Sequence, residues 1–360
     1  MDVSILELVK RAHEATGDSR RIAAIEEMSA MVSTNSVFRL TFEDGKERIA
    51  KVSSYGSFVH FKQDHERIAT LIALLKPTRF ANFLAPILLR DDGKVFLHRE
   101  DRAWVVFYEK VPFYDFLPPR LEPGHIDSLG RELAEFHVAC ARVSDRLGPT
   151  WKTLGSDVAR LFDKLGHESY RAHRGLSIDK AELVRRHCET FLENAEALGY
   201  HEFQKIPVLV DWNIGNFSVG MDNEGFKFFS RWDYDWFRIE PRTLDFYFCS
   251  RVVRDEGDQS TFSYLIDTFF EPRFVRFLRA YHQTSPLSPN EVRFLVEIYR
   301  FFVLNYVILE GHHFFRPSHC RRLQQEAIDV YLPSLDRVSA EPLVDAVFGE
   351  EPRAQGIERA

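Results

Sequence analysis

Cysteine is scarce in this chain and poorly placed for bonding. Cys140, Cys188, Cys249 and Cys320 lie far apart, with no CxxC pair and no paired spacing near histidines. That excludes a disulfide framework and a zinc site, and the thiols are expected to be reduced and mostly buried. A long basic block is also missing, and the net charge is -7 over 360 residues. This argues against a nucleic-acid binder, whose affinity comes from neutralising phosphates. No apolar run is long enough to span a bilayer; the most hydrophobic one, Phe301 to Leu309, is short and contains Asn305. The opening stretch MDVSILELVKRAHEATGD mixes acids among its apolar residues and lacks the apolar centre of a signal peptide. A cytoplasmic protein, monomer or homodimer, with no membrane or nucleic-acid partner is therefore expected.

What the chain does contain is ordinary globular material with one excess. Hydrophobic residues make up 45% and charged ones 28%, so neither disorder nor a fibrous class is favoured, and 360 residues suffice for two lobes around a large core. The excess is phenylalanine, 32 residues beside 12 Tyr and 5 Trp, which implies an aromatic-rich core.

The period of the apolar pattern changes along the chain. Strand-like runs dominate from Ile22 to Val111: IAAIEEM, VFRLTF, RIAKV, APILL, KVFLH and AWVVFYEKV. The turn EDGK joins VFRLTF to RIAKV as a hairpin. One helix interrupts, over Phe58 to Leu75, with Phe61, His65, Ile68, Leu71, Ile72 and Leu75 on its apolar stripe. After Pro112 the pattern is helical almost throughout, including DSLGRELAEFHVACARV, where His137 lies on the stripe as a core histidine. Strand character returns in VLVDWNIGNF and in NFSVGMDNEGFKFFSRWD, a hairpin turning at DNEG. The expectation is an α+β, two-lobed chain: residues 1–110 a strand-rich N-terminal lobe, residues 111–345 a helical lobe and residues 346–360 a polar tail. Ligands favour the cleft between such lobes.

Polar residues set into apolar surroundings mark the chemistry. VLVDWNIGNF places Asp211, Gly215 and Asn216 in an apolar run, and SRWDYDWFRIEPRTLDF brings Asp233 and Asp235 two positions apart. Two or three acids converging beside Asn216 would repel one another without a cation, and hard oxygen donors suit magnesium. Phosphoryl transfer asks for little more than these groups and a cation for the phosphates. Gly215 would permit the sharp backbone between Asp211 and Asn216.

These motifs resemble the aminoglycoside phosphotransferase and choline kinase family, small-molecule kinases with a protein-kinase-like fold. LVDWNIGN matches the Asp, Gly and Asn of the family's HGDxxxxN, Pro241 and Asp245 follow Asp233 at the family spacing, and LGRELAEFH resembles its LGxxLAxLH helix. The resemblance covers roughly Asn35 to Asp245. It implies an ATP- and Mg2+-dependent transfer to a hydroxyl of a small polar metabolite or antibiotic. Asp211 would be the catalytic base, Asn216 and Asp233 metal ligands, and Asp245 a structural tie. Lys51 would hold the ATP phosphates and pair with Glu66. Ile49 would line the adenine pocket, backbone groups near Glu109 and Val111 would bind adenine, and the nucleotide loop would lie near Val32 to Ser36. Asp235 and Glu240 would be acceptor-site candidates; Glu310, His312 and His313 would either reach a substrate pocket or form a helix end with an exposed His pair. Three positions depart from the family: Leu209 replaces its His, Val210 the following Gly and Phe113 a Gly after the connection. They motivate the alternative of a non-catalytic nucleotide-binding relative that acts through a partner.

Overall fold

The structure is a computed structural model and describes residues 3–30, 33–54, 56–148, 150, 152–223, 225–257 and 263–349. It opens with helix α1 (Val3–Glu14) and strands β1 (Ile22–Glu27), β2 (Ser36–Phe42) and β3 (Glu47–Ser53). Helix α2 (Phe58–Leu75) and strands β4 (Leu97–Glu100) and β5 (Ala103–Glu109) complete the first lobe. The five strands form one antiparallel sheet in the order β1-β2-β3-β5-β4. The β2–β3 hairpin turns where the sequence predicts: Gly45 takes a φ of 77°, which only glycine adopts freely, and Asp44 accepts the Lys46 N–H at 3.0 Å. APILL does not become a strand. Pro86 has no N–H to donate, and the segment makes only isolated bridges, Ile87 to Tyr108 and Leu89 to Val95.

Alternation sorts the sheet into two faces. Phe38, Leu40, Phe42, Ala50, Val52, Val105 and Phe107 point outward and are covered by Leu8, Val9 and Ala12 of α1. The other side chains of the same strands, Ile49, Lys51, Val106 and Tyr108, therefore face the rest of the molecule. Lys51 reaches the interior by this parity.

The second lobe begins with α3 (Pro123–Ala141), α4 (Leu154–Gly166), α5 (Glu168–Arg174) and α6 (Ile178–Ala197). Four short strands follow, β6 (Lys205–Val208), β7 (Phe217–Asp222), β8 (Gly225–Arg231) and β9 (Arg238–Pro241), paired as β6 with β9 and β7 with β8. Helices α7 (Phe246–Val253) and α8 (Pro272–Thr284) come next. Beyond them the helix Leu295–Phe301 widens into a π-helix over Phe302–Leu309 that holds Asn305. A last helix, Glu341–Phe348, buries Val347 and so overlaps the tail expected from residue 346. No helix among the described residues is long and apolar enough to cross a membrane.

Aromatic residues fill the centre as their abundance implies. Phe83, Phe136, Trp212, Phe217 and Phe228 form one cluster, with Phe83 and Phe228 stacked at 5.1 Å. It lies directly under the VLVDWNIGNF loop. Helices α3 and α8 pack so closely that a Cβ at Gly130 would meet the Phe277 carbonyl oxygen at 2.7 Å and the Tyr281 nitrogen at 2.9 Å. Alanine is the better helix former by ~1 kcal/mol, but overpacking costs ~1–3 kcal/mol. Gly130→Ala should therefore lower the denaturant midpoint, and an unchanged or raised midpoint would show that the two helices can part without cost.

Candidate active site

The VLVDWNIGNF loop runs from the end of β6 to β7, and its conformation is unusual at Val210. That residue has a φ of 63°, in the left-handed region that a β-branched side chain avoids, while Gly215 has an ordinary backbone with nothing near its absent Cβ. The sharp turn therefore falls at Val210 rather than at Gly215, the position expected to allow it. Such strain costs about 1–3 kcal/mol, and full burial of a valine side chain returns a similar amount. Leu209 and Val210 are both buried, at 0% and 1% exposure.

Two buried side chains hold this loop from below. Asp245, fully buried, accepts the Val210 N–H at 2.6 Å with one oxygen and meets His137 Nε2 at 2.8 Å with the other. His137 Nδ1 in turn meets the Tyr281 hydroxyl at 2.8 Å. Arg231, also fully buried, donates to the carbonyls of Asp211 at 2.7 Å and Asn216 at 3.0 Å, and to that of Trp232. One guanidinium thus ties both ends of the loop to the turn that carries Asp233. Sequence reasoning missed Arg231: alternation along FKFFSRW puts it outward with Lys227 and Phe229. A bulge at Ser218/Val219 breaks the β7–β8 register before that point.

Above the loop, Asp233 also has a left-handed backbone, φ 66°, which aspartate tolerates. Its carboxylate meets Lys51 Nζ at 2.9 Å, and Asp235 meets the same nitrogen at 2.5 Å. Asn35 donates to Asp235 at 2.6 Å and accepts from Ser53 at 2.6 Å. The expected Lys51–Glu66 pair does not form. Glu66 lies off the apolar stripe of α2 and pairs with Lys62 at 3.2 Å, while the inward position belongs to His65, bonded to the Tyr108 hydroxyl at 2.7 Å. Glu240 is displaced from the acceptor role as well. It is fully buried, accepts from the Tyr200 hydroxyl and from the Leu154 N–H at 2.8 Å, and anchors the start of α4.

Charge is finely divided in this group. Burial and then the negative charge of Asp233 raise the Asp211 carboxyl to about 6, against the pull of Arg231. Burial also presses on Asp233, but Lys51 and Arg231 outweigh it and hold that carboxyl below its usual range. Asp235 rises to about 6, through burial and the Asp233 charge, against Lys51. Asn216 donates its Nδ2 to the Asp211 carbonyl at 3.2 Å, which leaves its oxygen as the end that can face a cation. No group of three or more His, Cys, Asp or Glu that could hold a metal exists among the described residues. The donor set that fits magnesium is instead one carboxylate and one amide oxygen, with waters and phosphates for the rest.

No family sequence model matches the chain, and no curated protein sequence matches it. Solved structures do. An amicoumacin kinase solved with AMP-PNP and Ca2+ superposes with a TM-score of 0.60 at 13% identity, over 92% of this chain and 97% of the other. A microcompartment-associated aminopropanol kinase gives 0.61 at 15% identity, over 89% and 94%. A gentamicin complex of an aminoglycoside 2″-phosphotransferase gives 0.56 at 14% identity, over 95% and 98%. The chain has the fold of the small-molecule kinases.

The remaining residues expected at the nucleotide site lie on β2, β3 and β5 or just beyond them. Ser36 opens β2 opposite Val52, and Ile49 sits opposite Tyr108. Glu109 gives its N–H to the Pro86 carbonyl at 2.9 Å, so only its carbonyl and the Val111 amide are left for an adenine ring. Val32, the start of the expected nucleotide loop, lies outside the described residues. Ser33 bridges Phe315, and the Thr34 N–H donates to the Phe314 carbonyl at 3.2 Å. This strap joins the first lobe to the segment that follows the π-helix. A cavity of about 750 Å³ lies beside it between the lobes, lined among others by Asp235, Glu310, His312 and His313.

Asp245→Ala leaves the buried Val210 N–H and His137 Nε2 without their partner beneath a strained loop. Losing a buried charged acceptor costs about 3 kcal/mol. The denaturant midpoint should fall accordingly, and a loss under about 0.5 kcal/mol would mean the loop does not depend on this carboxylate.

Proposed function

We propose that the protein transfers the γ-phosphoryl group of ATP, or another nucleoside triphosphate, to a hydroxyl of a small polar molecule. The observation that carries this is the meeting of Lys51 and Asp233 at 2.9 Å directly over the loop of Asp211 and Asn216, inside a small-molecule kinase fold. Lys51 would bind the nucleotide's phosphates. Ile49, Glu109 and Val111 would receive the adenine ring, with Ser36 at the edge of the phosphate-covering loop. Asn216 and Asp233 would hold Mg2+, which when bound neutralises phosphate charge.

A general base works best with a pKa near the operating pH, and burial brings Asp211 closer to it than an ordinary carboxylate, at about 6. The acceptor hydroxyl gives its proton to Asp211 as its oxygen bonds to the γ-phosphorus. The bond from that phosphorus to the β–γ bridging oxygen breaks, and its electron pair leaves on the nucleoside diphosphate. Leu209 in place of a polar loop residue favours the non-catalytic alternative. Against it, Arg231 and Asp245 supply polar support from other directions. Asp211→Asn should lower turnover ~100–10,000-fold with nucleotide affinity little changed, the range that general-base help contributes. Retained turnover in a coupled ADP-release assay would remove Asp211 from the mechanism.

The same substitution has a stability signature with a definite sign. An aspartate raised from about 3.9 to about 6 binds its proton more tightly in the native state, so the native state loses stability as pH rises through that window. The full penalty above pH 6 is up to ~3 kcal/mol. Without nucleotide or metal, Asp211→Asn should therefore melt a few degrees above the parent at pH 7.5. The gap should close toward pH 4.5, and a gap independent of pH would contradict the assignment.

A further inference from the structure

The cavity between the lobes is unlike the metal-side group in its charge. Four carboxylates line it, and each already has a cation: Asp64 with Lys152 at 2.5 Å, Asp157 with Arg238 at 2.6 Å, Glu310 with Arg160 at 2.6 Å and Asp235 with Lys51 at 2.5 Å. Two further lining cations, Lys164 and Arg174, have no carboxylate partner among the described residues. Arg174 donates one nitrogen to His312 Nδ1 at 2.9 Å and, more weakly, to the Leu309 carbonyl, while its Nε is buried with no partner. Both cations flank the ring of Tyr170, at 5.6 and 5.5 Å from its centroid. Asn305, 1% exposed, lines the same cavity from the π-helix with both ends of its side-chain amide unpartnered.

These features call for a ligand of one kind. Buried amide groups and a buried guanidinium N–H are costly to leave unsatisfied, about 1–3 kcal/mol each, so something polar fills the space in use. An excess of unpaired positive charge selects against an amine and for an anion. The neighbouring histidine adds no charge of its own: burial, His313 and then the cations Arg174 and Lys164 lower His312 to about 4, so at pH 7 it is a neutral ring whose Nδ1 accepts from Arg174.

We propose that this cavity takes a small hydroxylated anion, an alcohol carrying a carboxylate or a phosphate ester, with Arg174 and Lys164 on the anionic group and Asn305 on an adjacent polar group. The assignment rests on the phosphotransferase reading only for what happens next, the transfer to the ligand's hydroxyl. Its binding half stands without that reading.

The test separates the two. With AMP-PNP filling the nucleotide site, binding of glycerate, glycerol 3-phosphate, glycerol and 2-aminoethanol is measured by calorimetry, and turnover of the same four with ATP by ADP release. Glycerate and glycerol 3-phosphate should bind at least tenfold tighter than the other two, and their relative strengths distinguish a carboxylate from a phosphate site. Arg174→Gln, or Lys164→Gln should the first fail to fold, should reduce that preference at least fivefold. Binding of the anions with no turnover of any compound would sink the phosphotransferase reading and leave the cavity assignment standing. Equal or tighter binding of glycerol or 2-aminoethanol, or an undiminished preference in the variants, would overturn the cavity assignment.

Discussion

The active-site geometry depends on one buried guanidinium. Arg231 gathers the carbonyls of Asp211, Asn216 and Trp232 onto a single side chain, so the loop and the turn bearing Asp233 cannot drift apart independently. Carbonyl oxygens neutralise a cation only partly, and burying the charge is costly. Burial still outweighs its neighbours and lowers the Arg231 pKa, but Asp211, Asp233 and Asp245 all favour the charged guanidinium and offset part of that cost. Cation and anions thus stabilise each other across the loop, and none sits comfortably in this interior alone.

The same mutual dependence explains the strained Val210. A glycine there would have made the turn without penalty, whereas valine adds a second buried aliphatic side chain beside Leu209, at 1% and 0% exposure. Local conformational cost is set against burial, and the Asp245 carboxylate fixes the outcome through the Val210 N–H.

How much of this was legible beforehand varied with the range of the interaction. The β2–β3 and β7–β8 hairpins, helix α2, the LGRELAEFH helix and the nearness of Asp233 to Asp235 could be read from the residues, because period, turn chemistry and motif spacing are local. Glu66 was misplaced by the motif although the helical stripe already held the answer, since His65 lies on it and Glu66 does not. Glu240 was misplaced because adjacency to a metal site in sequence says nothing about which way a strand residue points, and here β9 turns it onto α4 and Tyr200. Arg231 and the π-helix had no local signal at all. A register break in one hairpin and an extra residue per turn in one helix are decided by packing against distant partners.

The strap between the lobes has a mechanical meaning. The chain already connects the lobes once, through the stretch after β5, and the Ser33–Thr34 contacts with Phe314 and Phe315 connect them again on the other side of the cleft. A hinge at one edge can swing freely, but a body fastened at two edges can only flex until one fastening lets go. Each such hydrogen bond contributes roughly 0.5–1.5 kcal/mol net, so the clasp is weak enough to open on the microsecond-to-millisecond scale of enzyme lids. The clasp thus adds a second edge to the ties that Lys51 and Asn35 already make across the cleft, and the cavity beside it is bordered by a fastened margin rather than an open one.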